Sequence, residues 1–332
     1  MTKKMKNKII IAGAAVLDVL VCPVDEQIFQ KGSVPVETIR ISTGGDALNE
    51  ATILSRLKED GEPPVYLLTV LGKDQAGQTI LAHCQKESIS TELTAHDAAM
   101  ETGVNVVMVQ KDGSRSFFTN PESSLRKLSL THIPERFPED AGFLCLASIF
   151  VSPLLRNGEL GEIFRRAKRQ GMCVCADMTK CKNQETTEDI REALSYLDYL
   201  FANEEEARMV TGKESLEDMA DAFWECGVKN AVIKCGGRGC YVKNRELSRQ
   251  FPAFPGTLCR DTTGAGDSFA AGFLYALSQG KALEECICWA NTCGSLATEA
   301  VGACEGINNR AQVLERLEEY RKLVPQKTME IK

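Results

Sequence analysis

Histidine is scarce in this chain: His83, His96 and His132 are the only three in 332 residues. None has a partner at metal-ligand spacing or a Ser or Cys nucleophile motif beside it, which sets aside a histidine metal centre and a Ser-His or Cys-His hydrolase. The three read as surface or structural residues. A long basic run is also missing. The net charge of -7 comes from interspersed acids and bases, so nucleic acid is not an expected partner. Residues 1–8 are basic, but the apolar stretch from Ile9 to Ala15 is short, interrupted by Gly13 and followed by Asp18. It cannot span a bilayer and reads as the buried first strand of a soluble, cytoplasmic protein with no membrane partner.

Fourteen cysteines are scattered along the chain without a CxxC pair, and the CxC pairs Cys173/Cys175 and Cys286/Cys288 have no nearby His. Reduced thiols serving as small core hydrophobes are expected. There is no P-loop GxxxxGK[ST], and the first strand leads into Gly13-Ala14-Ala15-Val16 rather than G-x-G-x-x-G. Both the P-loop enzymes and a dinucleotide-dependent oxidoreductase are disfavoured. With no repeat, low-complexity tract or Pro/Ser-rich linker, residues 1–332 read as a single domain.

What is present is alternation. Short β-rich apolar runs at Ile9-Ala12, Tyr66-Val70, Phe143-Ala147, Met172-Ala176, Tyr199-Ala202 and Ala231-Cys235 are each followed by a helical pattern. Continuously apolar strands alternating with helices predict a doubly wound, mostly parallel α/β sheet covered on both faces. Val16-Val21 and Glu37-Ser42, with Thr102-Gln110 and Ser114-Thr119 around a Lys111-Asp112-Gly113 turn, break that rhythm and predict a small separate sheet, a lid built from about 16–42 and 102–120. Asn309–Leu323 reads as an amphipathic helix with a solvated face.

The sharpest segment is Asp261-Thr262-Thr263-Gly264-Ala265-Gly266-Asp267-Ser268-Phe269-Ala270-Ala271-Gly272-Phe273-Leu274. A glycine-rich turn that enters a helix puts unpaired N–H groups and the positive end of the helix dipole at one point, which suits a phosphoryl group. Asp267, in the first turn, is placed to accept the proton of an incoming hydroxyl. A plain helix cap would use the same residue types.

This segment resembles the C-terminal signature of the PfkB carbohydrate kinases, which have the ribokinase-like fold. Gly44-Gly45-Asp46-Ala47-Leu48-Asn49-Glu50-Ala51 is similar to the family's N-terminal GG-xxx-N-x-A motif. The resemblance implies ATP as phosphoryl donor with Mg²⁺, Asp267 as base, and the backbone of Gly264, Ala265 and Gly266 as an anion hole. It further implies that Asp18, Gly44, Gly45, Asp46 and Asn49 hold the substrate; alternation along the two lid hairpin strands adds Asn105 and one of Phe118 or Thr119 to the pocket face. Asn203 and Glu206 match the family's N-x-x-E motif, which organises Mg²⁺, water and phosphates. Glu205 is as readily a first-turn helix charge as a functional group. Lys234, Gly236 and Gly239 match T-x-G-x-x-G beside the ATP phosphates, with Lys where the family has Thr. Asn291 and the Gly302-Ala303 region resemble the segment bordering the adenine and, in some members, a monovalent cation such as K⁺.

Two departures bear on the substrate. Asp46 stands where ribokinases carry Lys, which argues against ribose. Asp177-Met178-Thr179-Lys180-Cys181 replaces the D-x-N-x-R of many sugar kinases. The expected activity is phosphorylation of a hydroxymethyl group of a sugar or sugar derivative. A nucleoside kinase of the same fold is the alternative, and a non-catalytic sugar-binding protein stands behind both. Monomer and lid-mediated homodimer are both open.

Overall fold

The computed structural model describes residues 7–25, 27–110 and 115–324. Its strands are β1 (Lys8–Ala12), β2 (Val16–Cys22), β3 (Thr38–Gly44), β4 (Tyr66–Leu68), β5 (Val70–Gly72), β6 (Ala95–Asp97) and β7 (Val104–Val109) in the first part of the chain. β8 (Arg115–Thr119), β9 (Ala141–Ile149), β10 (Cys173–Met178), β11 (Tyr199–Asn203), β12 (Ala231–Lys234), β13 (Cys240–Lys243) and β14 (Ser248–Phe251) follow. The α-helices are α1 (Ile28–Lys31), α2 (Asp46–Leu57), α3 (Gln75–Lys86), α4 (Asn157–Arg169), α5 (Arg191–Leu194), α6 (Glu204–Thr211), α7 (Leu216–Glu225), α8 (Ala265–Ser278), α9 (Leu283–Thr298) and α10 (Arg310–Leu323).

Eight strands form one sheet in the order β14-β13-β12-β11-β10-β9-β1-β4. It is parallel from β12 to β4, with β13 and β14 added antiparallel. Alternation along each strand divides the core in two. Ile9, Ile11, Cys145, Cys175 and Phe201 face α2, α8, α9 and α10. Ile10, Leu144, Leu146, Val174 and Leu200 face α4, α6 and α7. This two-sided burial is why the strands read as continuous apolar runs. Phe273 clamps α8 to the sheet, edge-on to Phe201 and Tyr199 with ring centroids 5.1 Å away in both cases. Burying such a ring contributes about 1.5–3 kcal/mol and holds the first turn of α8 over the sheet's edge.

The lid is a four-stranded sheet in the order β3-β2-β7-β8. β2 and β7 are parallel, and the other two pairs are antiparallel. The expected Lys111-Asp112-Gly113 turn lies outside the described residues. Two expectations need correction. The run Tyr66–Val70 is not one strand: β4 ends at Leu68, and after Thr69 the chain pairs as β5 with β6 in a separate two-stranded sheet. Nor is α10 only a solvated face, because Val313, Leu317 and Tyr320 are buried against the core and Tyr320 Oη donates to Pro252 O at 2.5 Å.

The cysteines among the described residues are free thiols, and most are buried. His83 bridges Thr52 and Thr43 through its two ring nitrogens, at 2.9 and 3.3 Å, and His132 accepts from Ser129 N at 3.1 Å. Both are structural. Among the described residues, no helix is long and apolar enough to cross a membrane.

Candidate active site

Parallel strands deliver their C-terminal ends to one edge of the sheet, where ligand crevices form. Here that edge opens into a cavity of about 570 Å³. Ser148 comes to it from β9, Asp177 from β10, Lys234 from β12, and Gly266 and Asp267 from the start of α8; Asp46, at the start of α2, closes the group.

Gly264 caps α8 in the left-handed region at φ 70, and a Cβ there would lie 2.2 Å from Ala303 O. Only glycine fits, so the turn and the Gly302-Ala303 loop are built against each other. Gly302 N donates to Asp261 Oδ2 at 2.9 Å. Of the residues given to the anion hole, Ala265 is a correction: its N–H already donates to Thr262 O at 3.2 Å. The N–H groups of Gly264, Gly266 and Asp267 make no such backbone bond among the described residues and remain for a ligand.

Asp267 is half-buried in the cavity wall, and its Oδ2 accepts from Asn49 Nδ2 at 2.8 Å. Burial, the neighbouring Asp46 and then Asp177 push its carboxyl up to about 8, against the opposing pull of Asn49 and Lys234. One of the two Nδ2 N–H groups of Asn49 orients Asp267, and its Oδ1 receives the Cys304 thiol at 3.6 Å. Asp46 is also raised by burial, and the Ser148 hydroxyl donates to its Oδ2.

Lys234 Nζ lies 2.7 and 2.6 Å from the two oxygens of Asp177. It is also 3.1 Å from where a Cβ on Gly266 would stand. Burial works against its charge, but Asp177, Glu206 and Asp267 outweigh burial and hold it protonated. The cation thus sits at the mouth of the helix turn. Asp177 was not among the residues singled out from the sequence as site residues. The signal available was a buried Asp ending one strand and an unexpected Lys ending another.

Asn203 and Glu206 form a reciprocal cap on α6: Asn203 Oδ1 accepts from Glu206 N at 2.9 Å, and Glu206 Oε2 accepts from Asn203 N at 2.7 Å. Both nevertheless line the cavity, and burial, ahead of Asp177, pushes Glu206 up to about 7. Glu205 pairs with Lys180 at the surface, 2.7 Å away, and lies outside the cavity. Gly236 and Gly239 both line the cavity; Gly236 has open space around it, and Gly239 also allows close packing, a Cβ there falling 2.0 Å from Phe251 O. Asn291 also lines the wall, but its Nδ2 is spent on Pro252 O at 3.0 Å and Tyr320 Oη at 3.3 Å.

Asp18 lies within lid strand β2, in the stretch expected as a lid strand, and its Oδ1 accepts from Asn105 Nδ2 at 2.9 Å. Gly44 ends β3 directly against it, so close that a Cβ would overlap Asp18 Oδ2, and Gly45 caps α2 beside Ala14. Asn105 Oδ1 is buried without a hydrogen-bond partner among the described residues. Asn105 pairs with Thr119 and Val107 with Phe117, so Thr119 and Phe117 share the face of Asp18 while Phe118 is on the other. One further residue escaped sequence reasoning. Glu50 is fully buried with both carboxyl oxygens unpartnered among the described residues. Burial, followed by Asp177 and Asp267, raises its pKa well above the ordinary carboxylate value.

Comparison with known proteins agrees with this geometry. Residues 6–310 match the family model described as pfkB family carbohydrate kinase. The 2-dehydro-3-deoxygluconokinase of Haemophilus influenzae is 25% identical over 275 residues, covering 79% of this chain and 88% of that protein. The cytidine kinase of Thermococcus kodakarensis is 34% identical over 166 residues, 49% of this chain and 56% of that protein. The structure of Arabidopsis thaliana ribokinase with ribose and ATP superposes with a TM-score of 0.77 at 26% identity, covering 95% of this chain and 99% of that one.

Proposed function

Because this chain belongs to the pfkB family of carbohydrate kinases, we propose that it transfers the γ-phosphoryl group of ATP to a hydroxymethyl group of a sugar or sugar derivative, with Asp267 as general base. The observation that carries this is the setting of Asp267: a half-buried carboxylate whose pKa is raised to about 8, oriented by Asn49, at the first turn of α8 and in one cavity with Lys234 and Gly266. A base works best with a pKa near the operating pH.

The acceptor lies between the lid and α2, with Asp18, Asp46 and Asn105 as its polar contacts. Asp267 takes the hydroxyl proton as the hydroxyl oxygen bonds to the γ-phosphorus, and the bond from that phosphorus to the leaving ADP oxygen breaks. Charge gathering on the transferring phosphoryl oxygens meets the first-turn N–H groups of α8 and the Lys234 ammonium, both fixed before reaction. Asn203, Glu206 and Gly236 flank the remaining phosphates, and Asn291 stands at the base-binding end of the cavity.

Mg²⁺ suits this arrangement. The described residues contain no cluster of three or more ligating side chains, but Glu206 and Asp177 face the phosphate end. Magnesium commonly binds through one or two carboxylates, phosphates and water. When bound, it neutralises phosphate charge. A monovalent cation such as K⁺ would belong beside the Asp261–Gly302 contact.

A nucleoside acceptor is the second reading, favoured by Phe117 on the acceptor face of the lid, where a ring can stack on a base. ADP release from Mg-ATP across pentoses, hexoses, sugar acids and nucleosides is expected to show acceptor-dependent turnover with one of these classes. No turnover on any of them would remove the kinase assignment.

The other lid face carries Ile39, Ile41 and Phe118, exposed at 70, 66 and 54%. An apolar stripe of this kind is covered by association, and a homodimer through the lid is the proposed state. Sedimentation velocity is expected to give a dimer, with Ile41→Asp plus Phe118→Asp giving a monomer. A monomeric wild type would exclude it.

A further inference from the structure

Arg56 stands in the last turn of α2 and does not line the cavity. Asp46, at the cavity end of the same helix, is about 15 Å away along the axis. We propose that Arg56 is a positioning residue for the reaction: from outside the cavity its guanidinium fixes the loop 302–307, on which the α8 entry and the partner of Asp267 are seated. The proposal rests on the kinase reading and extends it beyond the cavity wall.

The bonds of the guanidinium come first. Nε and Nη2 donate to the two oxygens of Glu87, just beyond α3, at 2.9 and 2.7 Å. Nη1 donates to Cys304 O at 2.7 Å and to Ile307 O at 2.8 Å. Four of the five N–H groups an arginine carries are thereby used, half of them on the carboxylate and half on the loop. The side chain is only 20% exposed, so water does not readily take the place of these partners.

The loop has little else to hold it. Residues 302–307 belong to no helix or strand, and side chains secure their backbone: Asp261 accepts from Gly302 N at 2.9 Å, Gln312 Nε2 donates to Gly306 O at 2.9 Å, and Arg56 takes the two remaining carbonyls. Without Arg56, half of these bonds are lost.

What rests on the loop is the reaction centre. Ala303 O lies 2.2 Å from where a Cβ on Gly264 would stand, so a shift of the loop displaces the turn whose N–H groups face the phosphoryl group. The Cys304 thiol donates to Asn49 Oδ1 at 3.6 Å, and Asn49 Nδ2 donates to Asp267 at 2.8 Å. Asn49 and Arg56 are seven residues apart on α2, which puts them on one face of the helix. That face therefore grips the loop at two points, and the loop sets the base and the turn together. A misplacement of about 1 Å in a reacting geometry can cost about 100-fold in rate.

Arg56→Lys and Glu87→Gln separate the two halves of the fork. Lysine keeps the charge opposite Glu87, but one ammonium cannot reproduce the fork that also holds both loop carbonyls. Glutamine at 87 weakens the α3 side and leaves the guanidinium on the loop. Well below both melting transitions, Arg56→Lys is expected to lower kcat by about tenfold or more, with KM for ATP and for the acceptor within about threefold. Glu87→Gln is expected to melt earlier and to keep kcat within about twofold of wild type. Hydrogen exchange supplies a readout that needs no turnover: the amides of 302–307 and 263–267 are expected to exchange faster in Arg56→Lys and at the wild-type rate in Glu87→Gln. An unchanged kcat in Arg56→Lys, an equal loss of kcat in Glu87→Gln, or unchanged exchange in the loop overturns the proposal and leaves the kinase reading standing. A wild type that turns over no acceptor removes the kinase reading instead, and the exchange comparison then decides by itself whether Arg56 holds the loop.

Discussion

Asp267→Asn is expected to lower kcat by about 100-fold or more, to leave ADP and acceptor affinities within a few-fold, and to raise the melting temperature. The kinetic part follows from removing a general base, a loss that commonly amounts to about 10²–10⁴ in rate. An Asn side chain keeps an oxygen for Asn49 Nδ2 to bond, so the site's shape survives. The stability part follows from the direction of the pKa shift. Asp267 is raised to about 8 by burial and by Asp46, whereas an unfolded chain has an Asp near about 4. Between those values the folded state holds a proton that the unfolded state releases, so this group's contribution is largest at low pH and is lost as pH rises through its folded value. Asn carries no such penalty, and the variant's advantage in thermal unfolding is expected to be larger at pH 8 than at pH 6. The same shift sets the activity profile: wild-type kcat/KM falls on the acid side of a midpoint well above the ordinary carboxylate range. Turnover unchanged in the variant would remove Asp267 from its role.

The doubly wound sheet was legible because its strands are buried on both faces and each is spelled in one contiguous run, as in Ile9-Ile10-Ile11. The α8 entry was legible because the whole Asp261–Leu274 stretch resembles the family signature; glycine at 264 and an acid at 267 alone would equally suit a plain helix cap. Lid strands declared themselves by breaking the α/β rhythm, but their faces did not: which of Phe117 and Phe118 meets the acceptor depends on register across β7 and β8, set by pairings such as Asn105 with Thr119. The split of Tyr66–Val70 was hidden for a similar reason, since Thr69 is buried and both halves are apolar. What the sequence hid most completely were pairings between distant positions. Asn49 meets Asp267 across 218 residues, and Asp177 meets Lys234 across 57. Each of these side chains has a sensible local role when read alone, and only folding shows where its polar atoms are spent. Glu50 is the extreme case. Nothing local marks a helical Glu as fully buried, because that follows from α2 packing between the sheet and α8.

Lys234→Met is expected to cost about 3–5 kcal/mol of stability, the usual penalty for leaving a buried charge without its partner, and to lower kcat by about 100-fold. The two losses have different origins, which a double substitution separates. Asp177 is nearly fully buried and is bonded through both oxygens by Lys234, so Met at 234 strands a carboxylate that Asp46 and Glu50 already crowd. Adding Asp177→Asn removes that stranded charge, and Lys234→Met with Asp177→Asn is expected to regain most of the lost stability in urea unfolding, because replacing both members of a buried pair is often close to neutral. Turnover should not return with it. The ammonium beside Gly266 is the one protein cation aimed at the first turn of α8 among the described residues lining the cavity, and a neutral pair offers nothing in its place to charge developing on the phosphoryl oxygens. Stability restored with kcat still depressed assigns the Lys234–Asp177 pair to the reaction centre and not only to the fold. Stability and kcat recovering together would reduce Lys234 to a counter-ion for Asp177, and the N–H groups of Gly266 and Asp267 would then be left to carry the phosphoryl charge.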